Sequence, residues 1–227
     1  MRIPWLVGLL AVMSCLSPSL FGTTLKLLSL REILTQSSRV VVGECLDYRE
    51  GIDSKGLPYT QYSFRLLEKI KGDPGGKLLS IRQFGLVSDG SSAGPRRNVA
   101  HIAGMPHYQP GSTYLLFLGP VSRLGFSSPV GLAQGAFRMT GRGAGRRVAN
   151  GLGNRNLLVD TSRPVREKVE LRRTQMEQTG SALLPDEQIR DSVSYTRFRE
   201  VLERMLSGER LDRRQLREAL SEGGSRP

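Results

Sequence analysis

Few residues in this chain have both the type and the spacing to do chemistry unaided. Gly90-Ser91-Ser92-Ala93-Gly94 has the G-x-S-x-G spacing. In hydrolases that spacing exposes a serine nucleophile on a strained turn between a strand and a helix. Here Asp89 precedes the motif and Pro95-Arg96 follow it, which is a loop context, so Ser92 lacks the framework that activates it. Cys45 lies in the strand-like run Val40-Val41-Val42-Gly43-Glu44-Cys45-Leu46 and reads as a small buried hydrophobe. A catalytic thiol needs a histidine partner, and the spacing nominates none. The histidines are His101 and His107; a separation of six fits no zinc-protease motif, and no acidic cluster completes a metal site. No carboxylate pair is singled out for acid–base work. GxGxxG and the phosphate-loop Lys-Ser/Thr are both missing, so no cofactor is implied.

The remaining chemical signal is charge. The chain of 227 residues holds 33 Lys+Arg against 21 Asp+Glu, a formal +12. Residues 23–140 hold 14 basic and 8 acidic residues, residues 141–173 hold 9 and 3, and residues 174–227 hold 9 and 10. The densest excess opens with Gly141-Arg142-Gly143-Ala144-Gly145-Arg146-Arg147. Glycine permits close backbone approach and arginine pairs bidentately with oxyanions. Arg142, Arg146 and Arg147 are therefore the candidate contacts to an anionic partner. No aromatic residues sit beside them to stack bases. The plain alternative is a hairpin loop whose arginines keep the protein soluble.

The elements that position these residues follow from patterning. Residues 1–22 have one Arg, an apolar run from Ile3 to Leu16, then Ser, Pro and Gly, and are expected to be a secretory signal peptide cut after Ser19 or Gly22. An alternative takes Val12-Met13-Ser14-Cys15 as a lipobox, with Cys15 lipidated and the chain tethered. With the signal peptide removed after Ser19 or Gly22, Cys45 is the remaining mature cysteine.

Ser29-Leu30-Arg31-Glu32 is a capping box that predicts a short helix to about Gln36. Val40–Gly43, Tyr59–Ile70, Leu78–Phe84 and Thr113–Leu118 predict strands, the second by its period of two. Further strands are expected near Pro129–Leu132, Gly135–Thr140 and Asn156–Val159. Turn signals fall at residues 49–58, 71–76 and 110–111, and residues 85–98 read as a long loop. Phe198, Val201, Leu202, Met205 and Leu206 lie on one helical face, and Gly208 is placed to stop it. Asp212 to Gln215 offers a second capping box, with Leu211 and Leu216 as its hydrophobic staple. Balanced charge there suggests solvated faces with pairs such as Glu200–Arg204.

This order of motifs resembles the netrin-like module, the OB-type barrel of the tissue inhibitors of metalloproteinases. The resemblance rests on Ser38 to Glu44, on Tyr59 to Phe64 running into Leu67-Glu68-Lys69-Ile70-Lys71-Gly72, and on Pro110 to Leu118. It is similar still more to a group of uncharacterised exported bacterial proteins that end in Q-G-x-F, as Gln134-Gly135-Ala136-Phe137 here. The likeness covers about residues 27–140. The inhibitors chelate zinc through an N-terminal cysteine and brace the barrel with disulfides, and this chain has neither, so that activity is not implied. What the resemblance implies is a barrel that serves binding.

The expected fold is mainly β, an OB/netrin-like antiparallel barrel over residues 23–160 with a short N-terminal helix. A linker over 161–190 and a C-terminal helical pair over 191–222 complete it. The expected function is an exported, non-enzymatic binding domain, secreted or in the periplasm or cell envelope, for a protein or anionic envelope component. The alternatives are an oligonucleotide- or polyanion-binding OB protein, and a hydrolase using Ser92 or Cys45. Export argues against nucleic acid, and no segment after the signal is long enough to span a membrane.

Overall fold

A computed structural model describes residues 26–87, 102, 104–155, 157–158 and 192–221. The capping box at Ser29 forms as expected, with reciprocal bonds to Glu32, and starts helix α1 (Leu30–Gln36). Leu30, Ile33 and Leu34 bury its inner face. Seven strands follow: β1 (Arg39–Ile52), β2 (Pro58–Lys71), β3 (Leu78–Phe84), β4 (Thr113–Leu118), β5 (Ala136–Thr140), β6 (Arg147–Asn150) and β7 (Val193–Ser194). They pair in the order β3-β2-β1-β4-β5-β6-β7, and every neighbour is antiparallel. Helices α2 (Tyr195–Leu206) and α3 (Arg213–Leu220) close the chain.

The apolar runs without alternation have a direct cause. β1 and β4 sit in the middle of the sheet, and both of their faces are covered, so both sets of side chains must be apolar. Val40 and Val42 join Leu115, Phe117, Phe137, Met139 and Val148 in a first core beneath the helices. Val41 and Cys45 join Tyr62, Phe64, Leu79, Ile81, Tyr108, Tyr114, Leu116 and Leu118 in a second core on the opposite face. Register shifts in β1–β2 at Val40/Val41, Val42/Gly43 and Cys45/Asp47 bend the long hairpin over this second core.

The helical tail belongs to the same packed body. β7 adds to the edge of β6 through Arg147↔Ser194 and Val148↔Val193. Tyr195, Phe198, Val201, Leu202 and Met205 of α2 lie in the first core, with Leu211, Leu216 and Leu220 behind them. Phe198 is fully buried, and its ring centroid lies 5.1 Å from that of Phe137 and 6.5 Å from that of Phe117. Sequence patterning set the pair apart at 191–222, because its amphipathic face shows only that it packs, not against what. The tail's ion pairs also differ from expectation: Arg204 pairs with Glu209 rather than Glu200, and Arg199 bridges Glu68 of β2 at 2.7 Å and Glu203 at 2.6 Å.

Two strand expectations are corrected. Leu157 and Leu158 lie in a turn after β6, not in a strand, because Asn154 enters a left-handed conformation (φ +62°) and its side chain ties back to Val148 O and Asn150 N. Around Pro129 a single bridge to Leu118 forms, and the chain then tightens into a 3₁₀ turn at Leu132–Gln134. The strand pairings do not close into a ring. Between β3 and the segment leading to β5 runs one backbone bond, Ser127 N–H to Arg82 O at 2.8 Å.

Candidate functional site

A concave surface opens beside that bond. It is a cleft of about 530 Å³ lined by Phe84 at the end of β3, Ile102 and Met105, Gln36 at the end of α1, Gly119, Pro120, Ser122 and the stretch from Phe126 to Leu132. Its size falls within the range of small-molecule sites. Among the described residues the lining has no acidic side chain, and its polar side chains are Gln36, Ser122, Ser127 and Ser128. The wall is fixed by Gly119 N–H to Ser128 O at 3.0 Å, Val130 N–H to Phe117 O at 2.8 Å and Gly135 N–H to Leu132 O at 3.1 Å. Below it, buried Gln134 takes Leu28 N–H at 2.8 Å and gives to Lys26 O at 2.9 Å, holding the N-terminal strap against the turn.

Phe126 and Phe84 link the cleft to the outer face of β1–β3. Their rings meet edge-on with centroids 5.8 Å apart. The Arg82 guanidinium lies 3.9 Å from the centroid of the Tyr59 ring and 5.0 Å from that of Phe126. Gly51 stands opposite Tyr59, and a Cβ at that position would come within 2.8 Å of the tyrosine hydroxyl, so the ring rests on bare backbone. Asp53 pairs with Arg82 at 3.3 Å and also caps the β1–β2 turn by accepting from Lys55 N–H and Leu57 N–H, both at 2.9 Å. Those bonds, the Leu57 one foremost, hold its carboxyl below the ordinary range. The result is a fixed cation sandwiched by aromatic rings.

The sequence-nominated residues are dispersed over the fold. Cys45 is fully buried in the second core, and burial pushes its thiol up to about 11, with nearby Asp47 adding to the shift. At neutral pH it is a thiol, not the thiolate a nucleophile requires. Ser92, His101 and Cys15 lie outside the described residues, as do residues 1–22 and the linker 161–190. His107 sits by Tyr62, whose hydroxyl is 3.5 Å from Nδ1, at a chamber of about 10 Å³ that Thr60 and Gln83 also line. That volume suits about one water. Burial raises the phenols of Tyr62, Tyr108 and Tyr114, so all three are neutral hydrogen-bonding groups. No group of three or more His, Cys, Asp or Glu converges on a metal-sized point among the described residues.

The Gly/Arg run forms the β5–β6 hairpin tip, with a 3₁₀ turn at Gly143–Gly145. Arg142 and Arg146 are exposed there. Arg147 is half-buried and faces the β7 seam: its Nε donates to Ser192 Oγ at 2.7 Å and its Nη2 to Ser192 O. The trio is thus split between two exposed guanidinia and one that fastens the sheet edge. The sequence did not mark the cleft. Its wall is assembled from residues 36, 84, 102, 105, 119, 120, 122 and 126–132, and only the Gly/Pro/Ser density of residues 119–131 hinted at an irregular, backbone-lined surface.

No protein family matches the chain, and no curated protein or solved structure gives a match either. No helix among the described residues is long and apolar enough to cross a membrane.

Proposed function

We propose that the chain is an exported, non-enzymatic binding domain built on an OB/netrin-like barrel. What supports the fold reading is the strand order β3-β2-β1-β4-β5, in which a three-stranded meander meets β4 through its first strand. The Ser127–Arg82 bond joins the free edge of β3 to the segment that leads into β5. A partly open five-stranded Greek-key barrel has this character. The observation that carries the functional reading is the apolar cleft of about 530 Å³, which brings no carboxylate, imidazole or thiol to its wall among the described residues. Such a surface recognises shape and apolar area and offers no general acid or base. The partner is a protein or anionic component of the envelope, and the mature chain is secreted, periplasmic or, through Cys15, lipid-anchored.

Arg142 and Arg146, exposed on one hairpin, are the proposed contacts to an anionic polymer. A column of immobilised heparin run at rising salt tests them. Retention that falls when both are changed to Gln supports the contact; retention unchanged by the double variant removes it. Oligonucleotide binding is the second reading, and the Arg82–Tyr59–Phe126 stack on the outer sheet face favours it, since bases stack on such platforms. Affinity for single-stranded DNA that falls steeply with salt and drops with Tyr59→Ala would support it.

A further inference from the structure

Resting on the binding reading, we infer that the cleft takes the hydrocarbon tail of a single long-chain acyl anion, with its head group at the two arginines beside it. Three observations converge. The wall is apolar where a tail would lie: Phe84, Met105, Phe126, Pro129, Val130 and Leu132 line it. The loop that forms one lip, residues 119–126, turns Val121 (55% exposed) and Leu124 (46% exposed) toward solvent. Isolated exposed apolar residues mean little, but these two sit in the same loop as the lining residues Gly119, Pro120, Ser122 and Phe126 and add apolar area next to the cleft. Finally, two arginines stand next to the lining, and no acidic residue lines the cleft among the described residues. Arg123 is exposed and directly follows the lining residue Ser122, and Arg39, itself outside the lining, donates through Nη2 to Oγ of the lining Ser127 at 3.5 Å. Neither arginine has an acidic partner within salt-bridge distance among the described residues, in contrast to Arg82, which Asp53 neutralises. An uncompensated cation beside desolvated apolar surface selects an anionic amphiphile over a neutral or cationic one.

Calorimetric titration of the full chain with laurate, below its micelle concentration, tests this. Laurate is expected to bind one per chain, and decanoate about fifteenfold more weakly, from about fourfold per buried methylene. Dodecyltrimethylammonium should bind at least tenfold more weakly than laurate, and Arg39→Gln with Arg123→Gln should remove most of that preference while leaving dodecanol unaffected. Ser128→Trp, which fills the cleft, should abolish laurate binding. As a check independent of that variant's folding, a nitroxide-labelled fatty acid should broaden the methyl signals of Met105, Val130 and Leu132 in the unaltered protein. Equal affinity for the cationic and anionic amphiphiles overturns the proposal. So does broadening confined to other methyls, or binding to anionic vesicles without binding to monomeric laurate. Arg142→Gln with Arg146→Gln should leave laurate binding intact, so a failed cleft and a failed hairpin are read separately.

Discussion

Replacing Phe198 by Ala tests whether the helical tail and the sheet are one cooperative body. Phe198 is fully buried on α2, with its ring against Phe117 of β4 and Phe137 of β5. Removing a buried phenylalanine costs about 3–5 kcal/mol, because the transfer energy is lost and a cavity remains. Domains are stable by only about 5–15 kcal/mol in total, so the loss is a large share. At roughly 2–4 °C per kcal/mol for a chain of this size, the melting temperature should fall by about 6–20 °C. The assay is urea and thermal unfolding followed by two signals. Far-ultraviolet circular dichroism reports helix and sheet together. Near-ultraviolet dichroism, read with Tyr195 of α2 replaced by Phe in both proteins, reports chiefly the buried Tyr62, Tyr108 and Tyr114 of the second core, on the face of the sheet away from Phe198. Both transitions should shift together, as a two-state unit requires. Leu206→Ala, on the same helix but 40% exposed, should change stability by no more than about 0.5 kcal/mol. If the tyrosine transition stays in place while the helical signal moves, the tail is an independent unit and the packing argument fails.

The other predictions concern buried polar groups and the thiol. Gln134→Leu leaves the Leu28 N–H and Lys26 O without their side-chain partner, at a cost of about 1–3 kcal/mol, and should accelerate amide exchange at Leu28; unchanged exchange there contradicts the strap. Cys45 should resist alkylation at pH 8 in the native state and react at the normal rate in urea, whereas fast native labelling would show the thiol to be accessible. Because its folded value is raised above the unfolded one, the native state holds the proton longer. Stability should therefore fall as pH rises from about 9 toward about 11, and Cys45→Ala should flatten that slope. Tyr195→Phe removes the hydroxyl that donates to Glu68 beside Arg199, and should lower stability by about 1 kcal/mol in urea titrations; no change would mean that the Arg199 bridge alone holds β2 to α2.

Local signals in the sequence were the most legible. Both capping boxes form where Ser29 and Asp212 placed them, and Leu211 and Leu216 are buried as a staple should be. Thr113–Leu118 is a strand to the residue, since an unbroken apolar run between turns suits a centre strand. What failed was determined by distant partners. β6 (Arg147–Asn150) has a single β-branched residue and follows a Gly/Arg run, so nothing local marks it. It is a strand because β5 and β7 pair with it on either side. Residues 157–158 offered the apolar content of a strand, yet the Asn150–Asn154 bonds turn the chain and drop Leu157 into the first core. For the site, the exposed Arg142 and Arg146 were legible as charge. The stack of Arg82 on Tyr59 was not, because it needs the β1–β2–β3 register to bring Gly51, Tyr59, Arg82 and Asp53 together. The cleft depends in the same way on segments far apart in the chain.

Native mass spectrometry of the protein purified from the cells that make it is the most direct test of ligand binding in the cleft. The account predicts a mature chain that carries one long-chain acyl anion, released when Ser128 is replaced by Trp. A chain that carries no such adduct, and that takes up none when laurate is supplied, would contradict it.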